Sequence, residues 1–261
     1  MLKKSALFLS RVLPSAIWEK IEYASAYFSG KGAGSNSLEA EIRAAAKFLP
    51  GESLVILDVG ANHGDWTEVA LEHFGKNIEA IYQFEPSGHN IDLLRKKFSK
   101  DPRISLVPYA VSDHAGEADL FADAPGSGMS SLHKRNLEHF NISLQKTDHV
   151  RTVTIDEFVA GQKLRKINFM KMDIEGHELA ALKGAAHSLK EGIIQALSFE
   201  FGGCNIDSRT FFQDFWYFLT PLGYGIFRIL PNGSVLSIEK YSEMLECFRT
   251  TNYIAVHKSV L

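Results

Sequence analysis

Short apolar runs alternate with helical segments from Ser53 onward, and this alternation constrains the fold more than any other feature of the chain. The runs have the length of strands and are apolar on both faces, which is typical of buried parallel strands. Their alternation with helices predicts βαβ units and therefore a doubly wound α/β domain with a mostly parallel sheet. The predicted strands are 54–57, 78–84, 104–108, 167–172 and 193–199, and the predicted helices are 65–74, 88–98, 176–190 and 208–219.

Two stretches interrupt the alternation. Between Val111 and Val153, glycine and proline recur and no clear helix–strand unit is present, so we expect a hairpin and loop insertion that covers a site. Near the C-terminus, apolar runs at 224–230, 234–238 and 253–257 follow one another directly, with a Pro-Asn-Gly turn after the first. Strands in direct succession predict an antiparallel edge on the parallel sheet.

Residues 1–50 are predicted as a helical extension that precedes a domain spanning 51–261. The first helix carries large apolar residues every four positions, which indicates one apolar face. That face is expected to pack on the main domain or on a second subunit, giving a homodimer through the N-terminal helices. A membrane-surface helix is the weaker alternative because the basic face is thin, and no stretch is apolar enough to span a bilayer. The apolar face consists of Leu9, Leu13, Ile17, Trp18 and Ile21.

Charge and cysteine content exclude several classes of protein. The formal net charge is −3, so no positive field gathers a nucleic-acid backbone, and no nucleic acid is expected as a partner. The two cysteines, Cys204 and Cys247, are too few for a disulfide framework and too far apart for a usual zinc site. Reduced thiols and a cytoplasmic location are therefore expected.

A glycine-containing turn follows the first predicted strand, in the segment from Leu57 to Gly64. Gly60 and Gly64 are expected to let a ligand approach the backbone closely, beside the N-terminus of the next helix. A dinucleotide fingerprint would need glycine at positions 60, 62 and 65, but Asn62 and Asp65 occupy two of them. The carboxylate of Asp58 beside the turn suits a cationic sulfonium amino acid better than an anionic pyrophosphate.

Two further acidic residues follow the next predicted strands. Glu85, in Phe84-Glu85-Pro86, is placed to accept hydrogen bonds from both ribose hydroxyls of a nucleoside. Asp113, in the segment from Ala110 to Asp113, is a candidate for holding an adenine amino group, although a turn-capping role explains it equally well.

Four ionisable residues crowd the end of the strand at 167–172. Asp173, Glu175, His177 and Glu178 lie within six residues, where a buried strand gives way to a helix. Helix capping explains Glu178 but accounts less well for the other three, which are therefore the candidate catalytic residues.

These motifs together resemble the FkbM-type family of class I S-adenosylmethionine-dependent methyltransferases. The similarity covers roughly residues 54–201 well and the C-terminal strands loosely. It implies a Rossmann-like, seven-stranded sheet whose last strand pair is antiparallel, with S-adenosylmethionine as cofactor. It also implies methyl transfer to oxygen of an acceptor such as a sugar, glycolipid or secondary metabolite. Carried over by position, Asp58, Gly60 and Asn62 would line the methionine end, Glu85 the ribose and Asp113 the adenine.

The chemistry of the strand-end cluster leaves two alternatives open. A sugar hydroxyl is a poor nucleophile, so a base or a metal ion should assist it. His177 is the best single candidate for the base because its reference pKa lies near neutrality, whereas Asp173 or Glu175 could instead hold a divalent cation or a substrate hydroxyl. Two rival functions are a nicotinamide oxidoreductase, which the failed glycine pattern disfavours, and a non-catalytic nucleoside-binding module, which the cluster disfavours.

Overall fold

The computed structural model describes residues 14–34 and 37–261. Its strands are β1 (Leu54–Val59), β2 (Ile78–Phe84), β3 (Ile104–Val107), β4 (Ala110–Val111), β5 (Gly116–Ala122), β6 (Gln145–Val153), β7 (Ile167–Met172), β8 (Ile194–Phe201), β9 (Tyr224–Ile229), β10 (Val235–Ile238) and β11 (Thr251–His257). Its α-helices are α1 (Ser15–Phe28), α2 (Leu38–Ala46), α3 (Asp65–Phe74), α4 (Gly88–Lys97), α5 (Ile155–Gln162), α6 (Glu178–Lys183), α7 (Ala186–Lys190), α8 (Cys204–Ser208) and α9 (Phe212–Leu219).

The main sheet has eight strands in the order β10-β9-β11-β8-β7-β1-β2-β3. The pairings β3–β2, β2–β1, β1–β7 and β7–β8 are parallel, whereas β11 is antiparallel to both β8 and β9. The predicted α/β class with a mostly parallel sheet and an antiparallel edge is therefore confirmed. The additional eighth strand is β10, which pairs antiparallel with β9 through the predicted Pro-Asn-Gly turn.

Two hydrophobic cores cover the two faces of this sheet. One face packs against α5, α6, α7 and α9, and the other packs against α2 and α3. Ile42 of α2 is fully buried, and Trp66 of α3 stacks on Phe169 of β7 with ring centroids 5.9 Å apart. Helix α2 therefore belongs to the core layer of the sheet, although the sequence grouped it with the N-terminal extension.

The region between residues 111 and 153 contains a second, three-stranded sheet in the order β4-β6-β5. β5 and β6 form the expected antiparallel hairpin, and β4 pairs parallel with β6. The long connection between β5 and β6 passes over the carboxyl ends of the main strands.

The sequence predicts one helix over 176–190, but the structure has two shorter helices there, α6 and α7. A Cβ atom on Gly184 would lie 2.1 Å from the carbonyl oxygen of Ser112, so the backbone there is locked against a neighbouring segment. The short helix α8 has no counterpart among the sequence predictions.

Helix α1 buries none of its residues, and Ile17 and Ile21 are 38% and 49% exposed. Leu9 and Leu13, from the same apolar face, lie outside the described residues. The homodimer through this helix therefore stays a prediction. Among residues 14–34 and 37–261, no helix has the length and apolar character needed to cross a membrane.

Candidate functional site

A cavity lies at the carboxyl edge of the main sheet, beneath the connection between β5 and β6. Six of the nine candidate site residues line it, and the other three, Asp58, Gly64 and Asp113, do not. The six lining residues are Gly60, Asn62, Glu85, Asp173, Glu175 and His177. They come from three neighbouring strand ends, as expected for a ligand site in an open α/β sheet.

Gly60 and Gly64 both adopt the left-handed region, with φ of +82° and +81°. A Cβ on Gly60 would lie 2.0 Å from the carbonyl oxygen of Asp173, and one on Gly64 would lie 2.5 Å from the ring of Phe98. Close approach of protein atoms therefore accounts for both glycines. The sequence analysis instead expected that a ligand approaches the backbone at these two glycines.

Asp58 is fully buried below the turn and has no access to the cavity. Its carboxylate accepts a hydrogen bond from the Thr67 hydroxyl at 2.7 Å and lies 3.4 Å from Nζ of Lys171. The same ammonium donates to the carbonyl oxygen of Gly60 at 2.8 Å. Burial alone would favour the neutral amine, but the carboxylates of Asp58 and Asp173 outweigh it and raise the pKa of Lys171. Asp58 and charged Lys171 thus hold the glycine turn from behind.

Glu85 lines the cavity with 5% of its surface exposed. Its two carboxylate oxygens accept hydrogen bonds from the backbone N–H of Asn62 at 2.8 Å and of Ser87 at 2.9 Å. Burial raises the pKa of the Glu85 carboxyl to about 7. Because each oxygen has a second acceptor position, the carboxylate can still receive hydroxyl donors from a bound nucleoside.

Asn90 supplies a second acceptor beside Glu85. Its amide nitrogen donates to the side-chain oxygen of Asn62 at 3.1 Å. Its own side-chain oxygen is buried and finds no donor within the described residues. An unsatisfied buried acceptor is costly, so a ligand with hydroxyl or amine donors would stabilise this corner of the cavity. Sequence reasoning missed Asn90 because its position on α4, five residues after Glu85, carries no motif.

His177 is held by protein groups at both ring nitrogens. Nε2 lies 2.9 Å from the hydroxyl of Ser112, and Nδ1 lies 3.1 Å from Nε2 of His133. Burial lowers the pKa of His177 to about 4, and the neighbouring His133 adds to the effect. The imidazole is therefore neutral at physiological pH and has no free nitrogen. His133 comes from the insertion, so no local pattern linked it to His177.

Glu175 and Glu178 are each engaged within the protein. Glu175 adopts a left-handed φ of +55° and forms an ion pair with Arg135. Glu178 is fully buried, and its carboxylate accepts from the backbone N–H of Ile174 at 2.9 Å and of Gly176 at 3.3 Å. Glu178 therefore has a structural role, but it closes the turn that connects β7 to α6 instead of capping the helix.

Asp113 lies outside the cavity lining and contacts two adjacent residues. Its carboxylate lies 2.6 Å from Nδ1 of the exposed His114 and accepts from the Ser112 hydroxyl at 3.2 Å. The contact with His114 lowers the pKa of Asp113. This geometry favours the turn-capping alternative for Asp113 over a contact with an adenine.

A second cavity adjoins the first, and Asp173 and Glu175 line both. The Asp173 side chain is 50% exposed, and its nearest cation is Lys171, with Nζ 3.9 Å from the carboxylate. Other charged and aromatic side chains also line the second cavity. They include Glu41, Arg135, Glu200, Arg249, Phe140 and Phe248.

The comparisons with known proteins agree with this arrangement. A family model described as the methyltransferase FkbM domain matches residues 58–226, which is more than half of the chain. The chain belongs to the FkbM methyltransferase family. The matched region is thus a domain of the S-adenosylmethionine-dependent methyltransferase fold, the family that the motifs at Gly60, Glu85 and Asp173 predicted.

Individual relatives are distant. The hexuronic acid methyltransferase AglP of Haloferax volcanii is 27% identical over 139 residues, which is 53% of this chain and 53% of AglP. The chain thus spans about half the length of this curated relative. The crystal structure of an FkbM methyltransferase from Methylobacillus flagellatus is 18% identical, with a TM-score of 0.49, covering 77% of this chain and 43% of that one. SMU.1697c of Streptococcus mutans in complex with SAH is 8% identical, with a TM-score of 0.45, covering 84% and 96%.

The first cavity of this FkbM methyltransferase has hydrogen-bond acceptors at one corner and a backbone turn at its base. Glu85 and the unsatisfied oxygen of Asn90 provide acceptors for nucleoside donors, and the turn at Gly60 forms the floor of the cavity. These residues fit S-adenosylmethionine. Among residues 14–34 and 37–261, no group of three or more His, Cys, Asp or Glu side chains is placed to hold a metal ion.

Proposed function

We propose that this FkbM methyltransferase methylates a hydroxyl oxygen of a sugar, glycolipid or related acceptor. The observation that carries the proposal is the position of Asp173, whose half-exposed carboxylate lines both cavities. In this proposal the first cavity holds the cofactor through Glu85, Asn62 and the Gly60 turn, and the second holds the acceptor. The reacting hydroxyl then lies where the two cavities meet.

Asp173 is the residue that we propose to contact the reacting hydroxyl. His177 has both nitrogens occupied by Ser112 and His133, and Glu175 is paired with Arg135. Asp173 alone of the three candidates keeps a carboxylate exposed towards both cavities. His177 is then a positioning residue that holds the insertion against the strand end.

The proposed reaction is an in-line displacement. The cofactor would supply an electrophilic methyl group on a sulfonium centre and would leave as the neutral thioether S-adenosylhomocysteine when the sulfur–methyl bond breaks. Asp173 accepts a hydrogen bond from the acceptor hydroxyl, orients its lone pair towards the methyl group, and takes the proton as the new carbon–oxygen bond forms. The insertion covers the first cavity and limits the access of water to the reacting atoms.

One relative supports a sugar acceptor. AglP is by name a hexuronic acid methyltransferase, and it matches half of this chain. The two rival functions have less support. A nicotinamide oxidoreductase does not agree with the family match, and a non-catalytic module would not need the exposed Asp173 carboxylate between two cavities.

Incubation of the enzyme with isotopically labelled S-adenosylmethionine and a glycan or glycolipid extract tests the proposal. We expect an acceptor that gains one methyl group, with the label retained after alkaline hydrolysis because methyl ethers resist base. Asp173→Asn is the matched control, since it keeps the size of the side chain but removes the proton acceptor. A label that is released by base as a methyl ester, or that is attached to nitrogen, would contradict transfer to a hydroxyl.

A further inference from the structure

We infer that the second cavity selects an acceptor sugar without a carboxylate, and that an amino sugar fits it best. The inference rests on the proposed function, because it assigns this cavity to the acceptor. It differs from what the name of AglP alone would suggest, since that relative acts on a hexuronic acid.

The charges that line the second cavity are mainly negative. Four carboxylates face two guanidinium groups, and both guanidinium groups already have partners. Arg135 pairs with Glu175 and lies 3.8 Å from Asp207, and Arg249 lies 3.3 Å from Glu22 of α1. Carboxyl groups thus outnumber guanidinium groups by two to one in the cavity lining, and both guanidinium groups already lie beside a carboxylate. The four carboxylates belong to Glu41, Asp173, Glu175 and Glu200.

Glu41 is the strongest indication that a ligand with donors belongs here. Only 7% of this residue is exposed, although it is charged and lies on a helix that packs against the sheet. One carboxylate oxygen accepts a hydrogen bond from the Ser198 hydroxyl at 2.5 Å. Within the described residues the other oxygen has no donor, and the side chain lines the cavity. This second oxygen is accessible from the cavity, where an ammonium or hydroxyl group of a ligand could donate a hydrogen bond to it.

Glu200 extends this acceptor surface. It lies near the carboxyl end of β8, lines the cavity, and has no hydrogen-bond or ion-pair partner among the described residues. Burial and the surrounding carboxylates, Asp173 first among them, raise the pKa of Glu200 well above its usual range. A cationic amino group would relieve this repulsion, whereas a uronate would increase it.

The aromatic side chains of the cavity agree with a sugar rather than a simple amine. Phe140 lies on the cavity wall with 65% of its surface exposed, and Phe248 lines the cavity near Phe201, with ring centroids 5.4 Å apart. Flat apolar surface beside hydrogen-bond acceptors suits a sugar ring, which has an apolar face and polar edges.

Several segments that build this cavity lie outside the residues matched by the family model. That match covers 58–226, whereas Glu41 lies before it and Phe248 lies after it. Selectivity for the acceptor therefore depends on residues that the family resemblance does not describe.

Binding of three matched probes tests the inference. They are the methyl glycosides of glucosamine, glucose and glucuronic acid, titrated by calorimetry into full-length enzyme saturated with SAH. We expect the glucosaminide to bind most tightly and the glucuronide most weakly, with on the order of tenfold or more between these two, as for opposite and like charges at a shielded site. The double variant E41Q/E200Q should reduce this ratio several-fold, since it removes two carboxyl groups that a bound cation would favour in the ionised form but keeps the side-chain sizes.

Glu39→Gln is the matched control. It removes the same charge two residues away on α2, but Glu39 is exposed and does not line the cavity. Its binding ratio should equal that of the wild type. Tighter or equal binding of the glucuronide, binding of none of the three probes, or an E41Q/E200Q ratio that matches the wild type would each overturn the inference. Correctly ranked binding without methyl transfer to any probe or extract would instead overturn the proposed function alone.

Discussion

The two cavities differ in how far the protein satisfies its own polar groups. In the first, the Glu85 carboxylate accepts two backbone N–H groups, and His177 is bonded at both nitrogens. In the second, among residues 14–34 and 37–261, Glu200 has no hydrogen-bond or ion-pair partner and Glu41 accepts a hydrogen bond at only one oxygen. In the first cavity the hydrogen bonds of Glu85 and His177 are thus formed before any ligand binds, and the Asn90 side-chain oxygen is left for a ligand donor. In the second cavity the carboxyl groups themselves depend on a ligand for further hydrogen bonds.

This difference agrees with what each cavity must recognise. The cofactor is common to the family, and the residues that contact it in our proposal follow strands within the matched region 58–226. The acceptor varies between members, and its proposed cavity combines the first and last parts of the chain with the insertion. Substitutions in the two cavities should therefore have separable effects.

The largest effect is expected for Gly60→Val. The new side chain would meet the Asp173 carbonyl oxygen at a position only 2.0 Å away, in a left-handed conformation that β-branched residues avoid. We expect a loss of about 3–5 kcal/mol in unfolding free energy, from combined strain and overpacking. Urea denaturation of the variant and the wild type measures this loss of unfolding free energy.

Gly161→Ala is the control for this prediction. Gly161 lies in α5 with no heavy atom within 4 Å of an added Cβ, so alanine should stabilise the protein by about 0.5–1 kcal/mol. If Gly60→Val kept wild-type stability and lost only cofactor binding, close approach of a ligand would explain the glycine after all.

The next effect is expected for Asp173→Asn, measured as kcat for methyl transfer. Loss of the proton acceptor should lower kcat by roughly 10²–10⁴-fold, while affinity for SAH changes little. His177→Gln should have the smaller effect, because the histidine positions Ser112 and His133 and stays neutral across physiological pH. The reverse order of the two variants would identify His177 as the base.

A smaller effect is expected for Glu85→Gln on cofactor affinity. One amide end of glutamine is a donor, so it cannot accept from the N–H groups of both Asn62 and Ser87. We expect SAH to bind about 1.5–3 kcal/mol more weakly in calorimetry. Glu41→Gln makes the same change in the second cavity and should leave SAH affinity unchanged. Equal losses in both variants would show that the two cavities do not act separately.

The smallest effect concerns the pH dependence of stability. Burial raises the pKa of both Glu41 and Glu85 from 4.5 to about 7, so the folded enzyme holds these protons more tightly than the unfolded chain. The stabilisation is complete below pH 4.5 and is lost as the pH rises through about 7. Each Gln variant should therefore lose less stability than the wild type over this range in thermal unfolding. A steeper decline in either variant would contradict the assignment.

Titration of His177 should change the stability with pH in the opposite direction. Its pKa is lowered from 6.5 to about 4, so the stability it contributes is present above pH 6.5 and is lost as the pH falls towards 4. His177→Gln should be less sensitive than the wild type to acid in this range. The same lowered pKa predicts that the methyl-transfer rate shows no step from His177 near pH 6.5.

Local sequence determined the class of fold and the positions of the strand ends. Apolar runs and periodic helices are local patterns, and parallel strands bring their carboxyl ends to one edge of the sheet. For this reason Gly60, Glu85 and Asp173 could be assigned to one cavity before the structure was known. The reason for Gly60 could not be predicted, since the atom that excludes a Cβ belongs to a residue 113 positions later.

Only the tertiary structure decided which side chains are available to a ligand. Asp58 and Asp173 both follow predicted strands and look equivalent in the sequence. In the structure Asp58 lies within β1, enclosed by Lys171 and Thr67, whereas Asp173 follows β7 and stays half exposed. His133 and Arg135 reach the site from the insertion, and Glu41 reaches the second cavity from the N-terminal part of the chain. Hydrogen bonds and burial between such distant segments depend on how the helices and the insertion pack on the sheet, and no local periodicity encodes that packing.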